Sequence, residues 1–341
     1  LREVSLAPAE VPNIHSVAAA SFDGQWLLVG GRTNGLHGLT GRNAFDPAFE
    51  NRQVWVIDPG ARRSWRKSLE TSSASGLDGD EVDSLSAVNA QFLQVGDKLL
   101  IVGGYGFRRS VGDHVTYDTL TAIDLPGLIA WVKSPSGEEG SLAADHIEQV
   151  RDPFFQVTGG ALERLGVEYQ LVFGQNYDGR YRPHFNGTYT KVVRRFRIDE
   201  TSPVLSVPSP SMLESREDDA FRRRDLNVLP IVEATPGSGE LSEAVVVLSG
   251  VFTPSDGVWT VPVLVREGGE VEMQDPLAEG TLRQAFQIYH CAKVGLFHRA
   301  TWEMHALTFG GITVLEWDDG ASVWVRDDNA PFTNQCGVVV R

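Results

Sequence analysis

An apolar run that ends in glycine occurs five times along this chain of 341 residues. It reads Leu27-Leu28-Val29-Gly30-Gly31, then Leu100-Ile101-Val102-Gly103-Gly104, then Leu171-Val172-Phe173-Gly174. It returns as Val246-Val247-Leu248-Ser249-Gly250 and as Leu307-Thr308-Phe309-Gly310-Gly311. Recurrence at intervals of roughly 60–75 residues is the mark of repeated supersecondary units. Each unit has the same anatomy. A first apolar run, such as His15–Phe22, precedes the glycine run, and Asp23-Gly24 or Gly96-Asp97 stands between them as a hairpin turn. A third run follows a longer loop, as in Val54–Asp58, Thr121–Asp124 and Val193–Ile198, and a more polar fourth run such as Ser64–Leu69 completes the unit. Four antiparallel strands per repeat make a propeller blade. The expected fold is therefore an all-β propeller of four-stranded blades, read as one domain over residues 1–341.

Five repeats are complete. The stretch from Phe332 to Arg341 reads as the first strand of another unit, so six blades are expected, the last one partial or completed by Glu3–Leu6. Five blades, with the two terminal strands sharing one sheet, is the alternative.

Composition narrows the partners. Hydrophobic residues make up 42% and charged residues 22%, enough to build a core and too apolar for a disordered chain. A net charge of −15 argues against nucleic acid or an anionic membrane surface as the main partner, because both require a basic face. No apolar run reaches the roughly 18 residues of a membrane span. Two cysteines, Cys291 and Cys336, cannot make a disulfide framework or a four-thiolate zinc site. No signal peptide is legible from Leu1 onward.

The pattern of apolar run, Gly-Gly, loop and aromatic strand resembles kelch-repeat, galactose-oxidase-like β-propellers. More narrowly it is similar to uncharacterised bacterial kelch-like proteins, many of them exported. The residues that carry this are His15-Ser16, Gly30 to Gly38, Gly103-Gly104-Tyr105-Gly106, Phe173-Gly174-Gln175, Asp178 to Tyr181, Arg223-Arg224-Asp225, Tyr289-His290-Cys291-Ala292 and Phe309 to Ile312. The resemblance implies a periplasmic or extracellular protein. It also invites two chemistries. A copper oxidase would need His, Tyr and thiolate ligands, but on one strand Tyr289 and Cys291 face away from His290. An acid-sugar mutarotase or lyase, like the six-bladed sialic-acid mutarotase, would use Asp225, Glu217 or His290 to move a proton. Arg222 to Arg224 would then clamp a carboxylate.

Propeller ligands bind where the inner strands and their loops converge. The candidate ligand-binding residues there are Arg32, His37, Tyr105, Arg151, Gln175, Arg224, Asp225, His290 and Asn334. Arginine and histidine gathered in an acidic chain can form a local positive pocket. The structural alternative is that Arg151-Asp152 and Arg224-Asp225 pair and fasten blades together. Asp78, Asp80 and Asp83 concentrate hard oxygen ligands in one loop, so calcium is the cation considered there, against solvated acidic turns. No other cofactor is expected, and no catalytic residue is assigned. Trp259, Trp302, Trp317 and Trp324 read as blade packing or as exposed platforms for a partner. The function that follows is recognition of a protein or glycan through one face. The alternative is an enzyme acting on a sugar or small anionic metabolite at the channel mouth.

Overall fold

The structure, a computed structural model, describes every residue except 1–10, 36–43, 71–74, 136–139, 183–186, 235–238, 256 and 341. It is all-β with the blades of a β-propeller: four four-stranded antiparallel sheets and one of three strands, five blades in all among the described residues. The chain forms two compact units. The first comprises Leu1–Thr158, Gln175–Thr188 and Ile198–Val207, and the second Gly159–Gly174, Tyr189–Arg197 and Pro208–Arg341.

The first unit holds two blades. Strands Ala18–Phe22, Gln25–Val29, Gln53–Asp58 and Arg63–Ser68 make the first, in chain order. Its opening hairpin turns at Asp23 and Gly24, at φ 47° and 72°, the mirror-image turn that suits strand twist. Strands Gln91–Val95, Lys98–Val102, Thr119–Asp124 and Ile147–Arg151 make the second. The diglycines serve close approach. Gly31 sits at φ 87°, a Cβ there would strike the His15 carbonyl, and its N–H reaches the Ala87 carbonyl at 3.0 Å. Gly104 repeats the bond to Val157 at 2.9 Å.

Two short helices, which the sequence reading did not place, are set among the strands. Leu125–Lys133 is entered through Asp124, whose side chain accepts from the Gly127 N–H, and it carries proline in its first turn. It lies between the two blades. Leu125, Leu128, Ile129, Trp131 and Val132 join Leu27, Val54, Val56, Leu99 and Ile123 in one core. Gly79–Leu85 is capped by Asp78 and Glu81 in a reciprocal box.

The second unit holds three blades. Ala161–Leu165, Glu168–Val172, Val193–Phe196 and Leu213–Glu214 form the third. Val228–Ala234, Leu241–Val247, Val263–Arg266 and Val271–Met273 form the fourth. The fifth has Ala292–His298, Glu303–Ile312 and Phe332–Val340. The last of these corrects the six-blade expectation. Phe332–Val340 does not open a new sheet; it pairs antiparallel with Glu303–Ile312 from His305↔Val340 to Ile312↔Phe332. A hairpin of Leu315–Asp318 and Val323–Arg326 is inserted before it and hides the connection in the sequence. The proposed closing strand Glu3–Leu6 lies outside the described residues.

That hairpin also decides two tryptophans. Trp317 and Trp324 do not pack between sheets; they are exposed and meet edge to face at 5.5 Å. Trp302 is exposed as well, whereas the Trp259 indole donates to the Arg222 carbonyl at 2.8 Å.

Arg223 is a costly residue of the second unit. It is fully buried, donates from Nε to the Ala220 carbonyl at 2.9 Å, and lies over the Trp259 ring at 4.7 Å. Nη2 meets the Met273 thioether at 3.0 Å, and Nη1 has no partner among the described residues. Desolvation pulls its pKa down to about 9. Arg223→Met keeps the shape and removes the buried charge, so it is expected to stabilise the protein by about 1–3 kcal/mol. Denaturant unfolding measures this, and a loss of more than about 1 kcal/mol contradicts it.

Candidate functional site

The residues chosen from the sequence occupy equivalent positions. Single antiparallel bridges join His15 to Arg32, Val88 to Tyr105, Thr158 to Gln175, and Arg224 to Val251. Arg32, Tyr105 and Gln175 thus occupy the place that follows each glycine run, and Arg224 the place that precedes the next first strand.

Their side chains are largely engaged. Arg32 is buried, donates to the Asp46 carbonyl at 2.9 Å and to Asn34 Oδ1 at 3.2 Å, and lies over Phe45. The Tyr105 hydroxyl donates to the Gly179 carbonyl at 2.7 Å and accepts from the Tyr181 N–H at 2.9 Å. Its ring meets the same Phe45 edge to face, and burial pushes its pKa well up. Gln175 is buried. Arg151 faces Asp80 at 3.8 Å and Asp118 at 3.9 Å. Arg224 lies 3.5 Å from Asp225 and over Phe252. The Tyr289 hydroxyl donates to Asp225 at 2.8 Å, and the Asp225 carbonyl accepts from the His290 N–H. His290 and Asn334 are exposed, and Asn334 lies on the third strand of its sheet instead of a first strand. His37 lies outside the described residues.

The three aspartates of the acidic loop are also occupied. Asp78 caps the helix, Asp80 accepts from Ser110 Oγ at 2.6 Å, and Asp83 is buried against two arginines. Among the described residues no group of three metal-ligating side chains comes together. Cys291 and Cys336 are both free thiols.

Asp83 leads to a feature that the sequence reading did not assemble. The segment before the third strand of the first blade is held by Asn51, which donates to the Gly30 and Gln53 carbonyls at 2.8 and 2.9 Å. Glu50 and Arg52 flank it. Arg52 binds Asp83 at 2.7 Å and Glu70 at 2.6 Å. Arg109 binds Asp83 at 2.5 Å and Glu50 at 3.3 Å, and its backbone N–H adds a 2.7 Å bond to Asp83. The Glu50 and Asp83 side chains are only 3% and 1% exposed, while Arg109 is 41% exposed. Burial raises the Glu50 pKa, and the Phe107 N–H and both arginines oppose that rise.

This network floors a cleft of about 660 Å³ in the first unit. Its wall is the Arg66 guanidinium, 5.1 Å over the Trp55 ring. Asn13, Gln53, Ser68 and Glu70 complete the rim. The lining offers donors and acceptors side by side, so it suits hydroxyl groups, which are both, better than a simple anion. A cleft of this size with convergent polar groups and a shifted carboxyl is the kind of place where small ligands bind.

No family model and no curated protein matches this chain. A solved structure titled "Structure of YjhT" is similar at 11% identity and a TM-score of 0.47, over 91% of this chain and 75% of that one. No helix among the described residues is long and apolar enough to cross a membrane.

Proposed function

We propose that the protein is a kelch-type binding propeller that holds a hydroxyl-rich saccharide in the cleft of its first unit. The observation that carries this reading is the cleft itself, a buried ion network beneath Gln53, Arg66 and Trp55. The network is satisfied within the protein, so it acts as a rigid floor. Arg66, exposed on the fourth strand of its blade, is a cation open to a ligand. A sugar ring would lie against the Arg66–Trp55 stack and exchange hydrogen bonds with Gln53 and Ser68. An acidic chain of this build fits a periplasmic or extracellular setting.

A glycan array followed by calorimetry on the best binder tests this. Arg66→Ala removes the cation that covers Trp55 and forms the cleft wall, and is expected to weaken binding about tenfold or more. An array with no saccharide above background overturns the reading, as does unchanged affinity in Arg66→Ala.

A protein partner is the second reading. One observation favours it: on the last blade Val294, Leu296, Val338 and Val340 form an exposed apolar face. The simplest such partner is a second copy of the chain. Sedimentation of the purified protein beside Leu296→Asp separates the two readings, since self-association through this face would be lost while saccharide binding stayed.

A further inference from the structure

The wedge between the first and second blades is filled by helix Leu125–Lys133, which sets the fully buried indole of Trp131 into it. The second unit has a comparable wedge between its fourth and fifth blades. No helix fills it, because the connection from Met273 to Ala292 carries none. What remains is a cavity of about 260 Å³. Both sheets line it: Ile231, Val246 and Leu264 from the fourth blade, and Met304, Ala306 and Val339 from the fifth. Alternation along each strand turns these side chains toward the facing sheet. All of them belong to, or pack on, one hydrophobic core.

The lining decides what fits. Glu272 is the one carboxylate on the wall, and it is drawn to Arg266 at 2.8 Å. A further charge placed among these apolar side chains would have no partner, so the occupant is neutral. An apolar cavity of roughly 150 Å³ already stays dry and takes up benzene. A flat ring suits a gap between two diverging sheets, as the indole in the first unit's wedge illustrates. The Met304 thioether is a favourable neighbour for an aromatic edge. The mouth is polar at Gln274, which is exposed and whose carboxamide both donates and accepts. The loop that frames the mouth is braced on Asp275, which takes the Leu277 N–H on its carboxylate at 2.8 Å and the Thr281 hydroxyl on its carbonyl at 2.7 Å.

We propose that the wedge between the fourth and fifth blades binds a small neutral aromatic molecule that carries one hydroxyl group. The ring lies between Leu264 and Met304, and the hydroxyl meets Gln274 at the mouth. The site shares no residue with the saccharide cleft and does not depend on it.

The chain has three methionines, Met212, Met273 and Met304, so labelled methyl groups give a spectrum in which each can be followed. Met273 lies against Arg223 and Met212 is no part of the wall, so both serve as controls. Titration with p-cresol is expected to shift the Met304 methyl saturably in the millimolar range and to leave the other two in place. Toluene, which has the ring without the hydroxyl, should bind about threefold to tenfold more weakly. Gln274→Ala, at an exposed position, should bring p-cresol down to the affinity of toluene. Ala306→Leu fills the space for the ring and should abolish the shift. The proposal is overturned if p-cresol gives no saturable Met304 shift, or moves all three methyls alike. It is also overturned if binding is indifferent to Gln274→Ala. A Met304 methyl that moves with protein concentration alone would mean that a second copy fills the wedge, and overturns it too.

Discussion

Asp83→Ala is expected to cost the protein about 3–5 kcal/mol, the range for removing one partner from a buried ion network. Asp83 receives both arginines of the cleft floor and the Arg109 backbone N–H, and its side chain is 1% exposed. Without it, the Arg52 and Arg109 guanidinium groups face each other with Glu50 as the main buried counter-charge. They must then either repel or swing outward. The contrast is Arg326→Ala, whose ion pair with Asp328 has both side chains more than half exposed. That change should cost less than about 0.5 kcal/mol. Urea unfolding of the two variants side by side measures both. A cost below about 1 kcal/mol for Asp83→Ala would falsify its place at the centre of the network. The same variant should also disturb saccharide binding, since Arg52 and Arg109 lose their fixed positions.

Trp131→Ala should be equally damaging, at about 3–5 kcal/mol. Trp131 is among the largest fully buried side chains and stands on the helix that fills the space between the first two blades. Twisted sheets that diverge leave a wedge between them, and here the wedge is filled by side chains from a connection instead of from strands. Truncating the indole leaves a cavity that helix Leu125–Lys133 cannot collapse into, because its two ends are tied to strands. Lys67 adds to the cost: its ammonium lies over the ring at 4.7 Å and donates to the Trp131 carbonyl at 3.1 Å. Trp302→Ala, at an exposed position, is the control and should change stability by less than about 0.5 kcal/mol. Equal costs for the two tryptophans would mean that the helix is not a structural wedge.

The fold was legible because its repeat is a backbone requirement. Gly31 must be glycine where the chain passes the His15 carbonyl, and a glycine at positive φ returns in each repeat at Gly104, Gly174, Gly250 and Gly311. Helix Leu125–Lys133 was not legible for a related reason. Its Pro126-Gly127 reads as a break, yet proline in a first turn after a capping aspartate is a helix start. The blade count failed at Phe332–Val340, where alternation identifies a strand but says nothing about which sheet it joins. Register and partner choice are set by the connection, and a hairpin insertion between Ile312 and Phe332 disguised it.

The site was legible only in part. Arg32, Tyr105, Gln175 and Arg224 attracted notice because they flank the repeat, and they proved to be the repeat's own bridging positions. Their polarity serves the seams between strands. Glu50 and Arg52 come from one loop, Arg109 from another, and Asp83 from a helix that was read as an acidic turn; no local spacing relates the three segments.

The central claim is that the first unit's cleft is where a saccharide binds. The most direct measurement is a crystal structure of the protein with the tightest-binding saccharide from the array. The expected result is a sugar ring against Arg66 and Trp55, with its hydroxyls on Gln53 and Ser68. A sugar bound on the exposed Trp317–Trp324 hairpin instead, with nothing in the cleft, would contradict it.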